Sequence, residues 1–295
     1  VLVDGVSVGA VGSYTFTAIG ANHTIAASFS LISYTITASA GTGGSISPSG
    51  AVSSDCGSTP TFTITPDACY AIADVLVDGV SVGAVGSYTF TALGTNHTIA
   101  ASFNLISYTI TASAGTGGSI SPSGSVSADC GTTPTFTITP DACYAIADVL
   151  VDGVSVGAVG SYTFTALGAN HTIAASFTLN SYTITVSAGA NGSITPGTGS
   201  VNCGDNATYT ITADPGYVVS DVIVDGVSQG AVGSYTFTNV TAPHNISASF
   251  ILDAFTITSS AGIGGTISPN GITSVNAGNN QSYTITANNC YSIAD

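Results

Sequence analysis

The sequence predicts an all-β fold, a tandem array of small β-sandwich or β-roll repeats of about 74 residues with no helices. Three observations carry this. Tyr34-Thr-Ile-Thr recurs at Tyr108 and at Tyr182, a period of 74 residues, and again as Phe255-Thr-Ile-Thr after a further 73. A fixed period of this length marks an array of supersecondary units. Within each period apolar and polar residues alternate, the signature of half-buried strands. Finally, Thr, Ser, Gly, Ala and Val dominate, while Lys, Glu and Met, which favour helix, are absent.

The period divides the chain into a half repeat at 1–33, whole repeats at 34–107, 108–181 and 182–254, and a half repeat at 255–295. The first whole repeat shows the expected elements in order. Tyr34, Ile36 and Ala38 face one way along the first strand, and Thr35, Thr37 and Ser39 the other. Gly41-Thr-Gly-Gly44 turns, Ser45-Ile-Ser47 returns and Pro48 stops it. Ser49-Gly50 turns again before Val52, and Pro60 opens Thr61-Phe-Thr-Ile-Thr65, with Phe62 and Ile64 inward, before Pro66-Asp67 closes it. Val75-Leu-Val77 and Val80-Ser-Val82 flank Asp78-Gly79, a dipeptide that favours the type I′ hairpin turn. Two further strands bring Tyr88, Phe90, Ile99, Ala101 and Phe103 into the inward set. A unit this small buries only about 60% of its unfolded surface and is marginal alone. Neighbouring repeats and cross-links should therefore contribute to stability.

Charge excludes several partners. The chain has no Lys or Arg, fifteen acidic residues that are all Asp, and a formal charge of −15. Nothing can neutralise phosphate, so nucleic acid and anionic membrane are poor partners. The same composition predicts no salt bridges and removes every trypsin-type cleavage site, which suits a protein outside the cell. No apolar run approaches the ~18 residues of a membrane span.

Six cysteines recur at two positions. Cys56, Cys130 and Cys203 precede the central strand of their repeats, whereas Cys69, Cys143 and Cys290 follow it; Gly216 and Ala277 replace a cysteine at the later and earlier position respectively. Pairing within a repeat gives Cys56 to Cys69 and Cys130 to Cys143, strands Cys203 and Cys290, and asks the two ends of one strand to meet. That strand spans about 20 Å when extended, against roughly 4.4–6.8 Å between the Cα atoms of a disulfide. Pairing across repeats gives Cys69–Cys130 and Cys143–Cys203, explains why Gly216 and Ala277 are missing together, and leaves Cys290 for Cys56 of the next copy. Parity and strand length favour this second scheme. Such bonds require an oxidising compartment.

The motifs Tyr34-Thr-Ile-Thr, Gly43-Gly-Ser-Ile-Ser-Pro48, Phe62-Thr-Ile-Thr-Pro66, Val75-Leu-Val-Asp-Gly79, Tyr88-Thr-Phe and Asn96-His-Thr-Ile99, in this order, resemble the divergent internalin B-repeat family over the whole chain. That resemblance implies small β modules strung along bacterial surface and secreted proteins, serving as stalk, adhesin or surface fibre, with no catalytic residues to carry over. The paired cysteines depart from the family pattern.

Other chemistry is thin. Asp67 and Asp129 adjoin the first cross-repeat cysteine pair, so that bridge would bring two carboxylates together; calcium, with its preference for oxygen ligands, is the metal they would take. Two solvated aspartates are the plain alternative. Asp141 faces Asn202 at the next junction. Asp78 reads as a turn residue, and His23, His97, His171 and His244, one per repeat, read as loop or strand-edge residues, since one histidine with no partner in motif range is no zinc site. Gly41-Thr-Gly-Gly44 lacks the helix and Lys of a phosphate loop. Asn22, Asn96, Asn170, Asn206, Asn239 and Asn245 head Asn-X-Ser/Thr sequons, which read either as a glycan coat or as chance in a Thr/Ser-rich chain.

The expected function is a non-enzymatic extracellular structural protein, a surface filament or adhesin shaft, with a carbohydrate- or receptor-binding module as the alternative. Residues 290–295 followed by 1–6 would restore the Cys69–Val80 stretch. Two arrangements fit: subunits that join head to tail by completing each other's half repeats, or a window of a longer polypeptide whose repeats continue.

Overall fold

Alternating apolar residues make strands only where both sheet faces are supplied, and the first and third whole repeats each supply two sheets around one core. The computed structural model describes residues 1–294; the last residue of the 255–295 half repeat, Asp295, lies outside the described residues. All regular elements among the described residues are strands, and no helix is long and apolar enough to cross a membrane.

The first repeat shows the plan. Its larger sheet has five strands in the spatial order Gly50–Asp55, Ser33–Ala40, His97–Leu105, Tyr70–Val77, Val80–Ser81. Neighbours are antiparallel except Ser33–Ala40 and His97–Leu105, which run parallel with His97 opposite Ile36 and Ile99 opposite Ala38. The smaller sheet orders Ser87–Thr89, Thr61–Pro66 and Gly44–Ser47, all antiparallel. Ile36, Ala38, Val75, Ile99 and Ala101 from the larger sheet meet Ile46, Phe62 and Ile64 from the smaller. Phe90 and Leu93, outside both sheets, seal the core. Leu93 is held there because its N–H donates to the Ser58 carbonyl and its own carbonyl accepts from Gly57 N–H. The hairpin turn at Asp78-Gly79 has φ of 49° and 78°, both positive as a type I′ turn requires.

Two glycines are dictated by ring contacts. A Cβ on Gly44 would collide with the Phe103 ring, and one on Gly43 with the Tyr70 ring. The pattern repeats, with Phe177 over Gly118 and Phe250 over Gly192.

Strands divide between two compact units. One comprises residues 1–110, 125–135 and 163–171, and so holds the first whole repeat with the 1–33 segment. The other comprises 111–124, 136–162 and residues from 172 onward. It holds the third repeat, whose five-stranded and three-stranded sheets reproduce the first, with Tyr209 buried in the place of Phe62.

The two half repeats form only part of this plan. In 1–33, Val6–Ser7, Leu2–Val3 and Ile25–Ala26 make a small three-stranded sheet. In 254–294, Ala254–Ser259 pairs with Gly271–Asn276, and Gly265–Ser268 with Thr284–Ala287.

Candidate functional site

Two features recur along the chain and gather its polar chemistry: the junction between successive repeats, and a histidine clasp on the hairpin. At the first junction Cys69 sits in the left-handed region, φ 68°, just past the central strand. Its carbonyl accepts the Ile106 N–H at 2.8 Å, and the Ile106 carbonyl accepts the Cys130 N–H at 2.9 Å. This ladder brings the Cα atoms of Cys69 and Cys130 to 5.3 Å, and the two are disulfide-bonded. The second junction repeats it through Asn180, with hydrogen bonds of 2.8 Å to Cys143 and from Cys203, and the Cys143–Cys203 disulfide at a Cα separation of 5.4 Å.

The third junction keeps the backbone and loses the sulfur. Asp253 N–H donates to Gly216 O at 2.9 Å, and Ala277 N–H donates to Asp253 O at 2.8 Å. The junction geometry thus belongs to the backbone register, and the disulfide locks a contact that forms without it. Cys56 and Cys290 are exposed free thiols. Cys56 N–H donates to Ile32 O at 2.8 Å, as Cys130 does to Ile106, and Cys290 has φ 70°, as Cys69 and Cys143 do. Each is set up as half of such a junction.

The two aspartates expected to take calcium, Asp67 and Asp129, adjoin the cysteines of the first disulfide. The Asp129 carboxylate accepts the Ser107 hydroxyl at 2.9 Å, while Asp67 contributes backbone bonds, its N–H to Gly43 O and its carbonyl from Tyr70 N–H. Among the described residues no group of three or more His, Cys, Asp or Glu side chains is placed to hold a metal.

The clasp is what the sequence reading missed. Asp78 Oδ2 lies 2.6 Å from His97 Nδ1, and Asp78 Oδ1 accepts the Thr98 N–H at 2.8 Å. The His97 ring packs on Phe90 at 5.0 Å between centroids. Asp4 with His23 and Thr24, and Asp225 with His244 and Asn245, repeat the arrangement. The expectation of no salt bridges is therefore corrected: each such pair becomes an ion pair whenever its histidine is protonated. The available signal was the constant 19-residue spacing from Asp to His.

These bonds hold the carboxylates below their usual range. For Asp78 the His97 hydrogen bond leads, followed by the Thr98 N–H; for Asp4 the Thr24 N–H leads, followed by His23. For Asp225 burial acts first and raises the carboxyl, but the Asn245 N–H and His244 outweigh it. Because the folded value is depressed, the stabilisation is present above the unfolded carboxyl pKa, about 3.9, and is lost as pH falls through the lower folded value. Thermal melts of the wild type should show this loss below about pH 4, and Asp78→Asn should be less stable at neutral pH with a smaller acid-induced fall. An equal fall in both proteins would show the clasp to be inert.

Thr95 Oγ1 lies 3.4 Å from His97 Nε2, which makes an Asp–His–Thr series. That distance is long for a hydrogen bond to a nucleophile, and Ala21, Ala169 and Ala242 stand in its place in the other copies. What recurs is the hairpin clasp. Three sequon asparagines also have structural work: Asn96 Oδ1 accepts Thr35 N–H, Asn170 Oδ1 accepts Thr109 N–H and Asn206 Oδ1 accepts Asn239 N–H, each at 2.8 Å.

The Divergent InlB B-repeat domain model matches residues 34–107, 108–181 and 182–254. The chain belongs to the divergent InlB B-repeat family. It is a tandem B-repeat chain of the surface-protein type, with two disulfides. No curated protein matches it. Among solved structures, the Bacillus anthracis TIE protein is similar at 9% identity and a TM-score of 0.39, over 74% of this chain and 51% of that one. This chain thus spans about half of the TIE protein. The I9–I11 tandem from titin aligns at 9% identity and a TM-score of 0.14, over 74% of this chain and 97% of that one. Neither superposition is close enough to carry an argument about these B-repeats.

Proposed function

We propose that these B-repeats are the non-enzymatic spacer of an extracellular bacterial protein, the shaft of an adhesin or surface filament, in which junction disulfides limit extension under load. The observation that supports this is the pattern of covalent shortcuts. Cys69–Cys130 and Cys143–Cys203 close loops of 61 and 60 residues that each straddle a repeat boundary. A pull along the chain passes through both sulfur bridges, so between Cys69 and Cys203 only residues 130–143 carry load as backbone. Each loop withholds about 200 Å of extended chain. A disulfide inside one repeat would protect that repeat alone; one that spans a boundary also holds neighbours in register. Repeat arrays depend on such nearest-neighbour contacts.

The binding-module alternative lacks a favouring observation. In the three whole repeats the exposed large apolar side chains are aliphatic, such as Leu76, Leu150 and Ile223, and the exposed aromatics fall in the half repeats. Stacking on sugars uses aromatic faces.

Antibody raised against the folded repeats should label intact cells of the source bacterium, and Cys69, Cys130, Cys143 and Cys203 should resist alkylation there until reduced. Labelling only after lysis, with these cysteines alkylated directly, would overturn the proposal.

A further inference from the structure

Each hairpin turn sets side by side two groups that can react with each other, an aspartate carboxyl and the backbone nitrogen of the next glycine. At Asp78-Gly79 the Gly79 N–H makes no hydrogen bond among the described residues, and nothing lies within 4 Å of a Cβ built on Gly79. The Asp78 side chain is 47% exposed. Asp225-Gly226 is alike, with the Asp225 side chain 41% exposed and open space around Gly226. In the reaction the glycine nitrogen bonds to Cγ of the protonated carboxyl, the Cγ–OH bond breaks, and the hydroxyl leaves with the N–H proton as water. The resulting five-membered imide takes up water at either carbonyl. Opening at the aspartate backbone carbonyl leaves isoaspartate, in which the main chain runs through the side chain and is one methylene longer. Glycine favours the attack because it has no side chain to obstruct it.

The clasp opposes each step. Asp78 gives one oxygen to His97 Nδ1 and the other to the Thr98 N–H, at 2.6 and 2.8 Å, and Asp225 does the same with His244 and the Asn245 N–H. Asp152 accepts the Thr172 N–H at 2.8 Å, and the His171 ring packs on Phe164 as His97 does on Phe90. Closing the imide expels one carboxyl oxygen and turns the carboxyl plane, so these bonds must break first. Hydrogen bonds to a carboxylate also favour its ionised form, whereas the attack needs the protonated one. The Asp78 and Asp225 carboxyls accordingly lie below their usual range. Sequence makes the same pairing. The chain has four Asp-Gly dipeptides, beginning at Asp4, Asp78, Asp152 and Asp225, and its four histidines each lie 19 residues after one of them.

We propose that the Asp-Gly hairpins are sites of backbone isomerisation and that the histidine clasp keeps each aspartate from closing on its glycine, so that isoaspartate forms at Asp78, Asp152 or Asp225 where the clasp is opened. This stands apart from the spacer reading and holds whether or not the chain is a shaft. The lesion would remove the turn and the clasp together. The register Val77 to Val80, and Val224 to Val227, leaves room for two turn residues, and the type I′ turn they form has no place for an added methylene. In isoaspartate the free carboxylate is the former backbone carbonyl carbon, borne directly on Cα, one bond short of the reach that Cγ gave toward the histidine.

The test compares the full oxidised chain with His244→Phe, which keeps a ring to pack on Phe237 but loses the nitrogen that holds Asp225. Both are kept for weeks in warm neutral buffer and cut with chymotrypsin. The peptide that carries Asp225, residues 218–235, is distinct, whereas residues 71–88 and 145–162, which carry Asp78 and Asp152, are identical to each other and serve as the control within the same molecule. Isoaspartate leaves the mass unchanged, so it is scored on the separated peptides by an isoaspartyl methyltransferase with labelled S-adenosylmethionine. His244→Phe should carry at least tenfold more isoaspartate at Asp225 than wild type, with the control peptides unchanged, and reduced wild type in denaturant should form it in all three peptides. Ile194→Ala, which loosens the smaller sheet of the same repeat and keeps His244, should match wild type. Equal isoaspartate at Asp225 in wild type and His244→Phe overturns the proposal, as does its absence from the unfolded chain. An equal rise in Ile194→Ala overturns it too, because general packing and not the clasp would then be the guard.

Discussion

Replacing Cys69 and Cys130 together by serine should destabilise the unit that contains them by about 4 kcal/mol, from the chain-entropy cost of a loop of this size. The closed loop is 61 residues, and the pair must be removed together so that no buried or reactive thiol complicates the reading. A stability of about 5–15 kcal/mol is usual for a domain, so the loss takes much of the total. The junction backbone bonds, Ile106 to Cys69 and Cys130 to Ile106, remain available, and the variant should still fold. Denaturant unfolding reads the stability. Stretching single molecules should also release about 200 Å more contour length than wild type. Cys56→Ser, which touches no bridge within the chain, should change neither value.

The reverse substitution should install what the third junction lacks. In Gly216→Cys with Ala277→Cys, the new side chains replace a glycine at φ 86° and an alanine whose Cβ lies 3.7 Å from a Cβ built on Gly216. That separation falls inside the usual disulfide range, roughly 3.5–4.5 Å. The conformation is also one that cysteine accepts here, since Cys69, Cys143 and Cys290 have φ of 68°, 69° and 70°. The bond should form quantitatively on air oxidation and raise the stability of its unit by up to about 4 kcal/mol, less any strain. Comparing oxidised and reduced forms of the same variant isolates the bond from the cost of losing glycine. A double variant that stays reduced would mean that the junction backbone is not held in the register described.

Much of this was legible in the chain because repetition multiplies weak signals. Alternation placed Ile36, Phe62, Ile64 and Ile99 inward, and the structure buries them. The cross-repeat sites could be read from joint absences at Gly216 and Ala277, a statement about parity that needs no coordinates. Other features were silent for physical reasons. A period of two says which face a residue takes but not which strand lies beside it, so the parallel pairing of Ser33–Ala40 with His97–Leu105 was not foreseen. Leu93 is core although it lies in a loop, because the backbone bonds to Ser58 and Gly57 fix it there. Asp78 was read correctly as a turn residue, yet its carboxylate also serves His97, a partner that only the folding of the hairpin against its neighbouring strand supplies.

Boundary-spanning junctions require Cys69 joined to Cys130 and Cys143 to Cys203, and peptide mapping of unreduced protein tests that directly. The chain offers trypsin nothing, but chymotrypsin cuts after Tyr and Phe, and Phe62 and Phe136 fall between the two cysteine positions of their repeats. Mass spectrometry should then find the Cys69 peptide linked to that of Cys130, and the Cys143 peptide linked to that of Cys203. Peptides linking Cys56 to Cys69, or Cys130 to Cys143, would contradict the boundary-spanning junction and the spacer mechanism built on it.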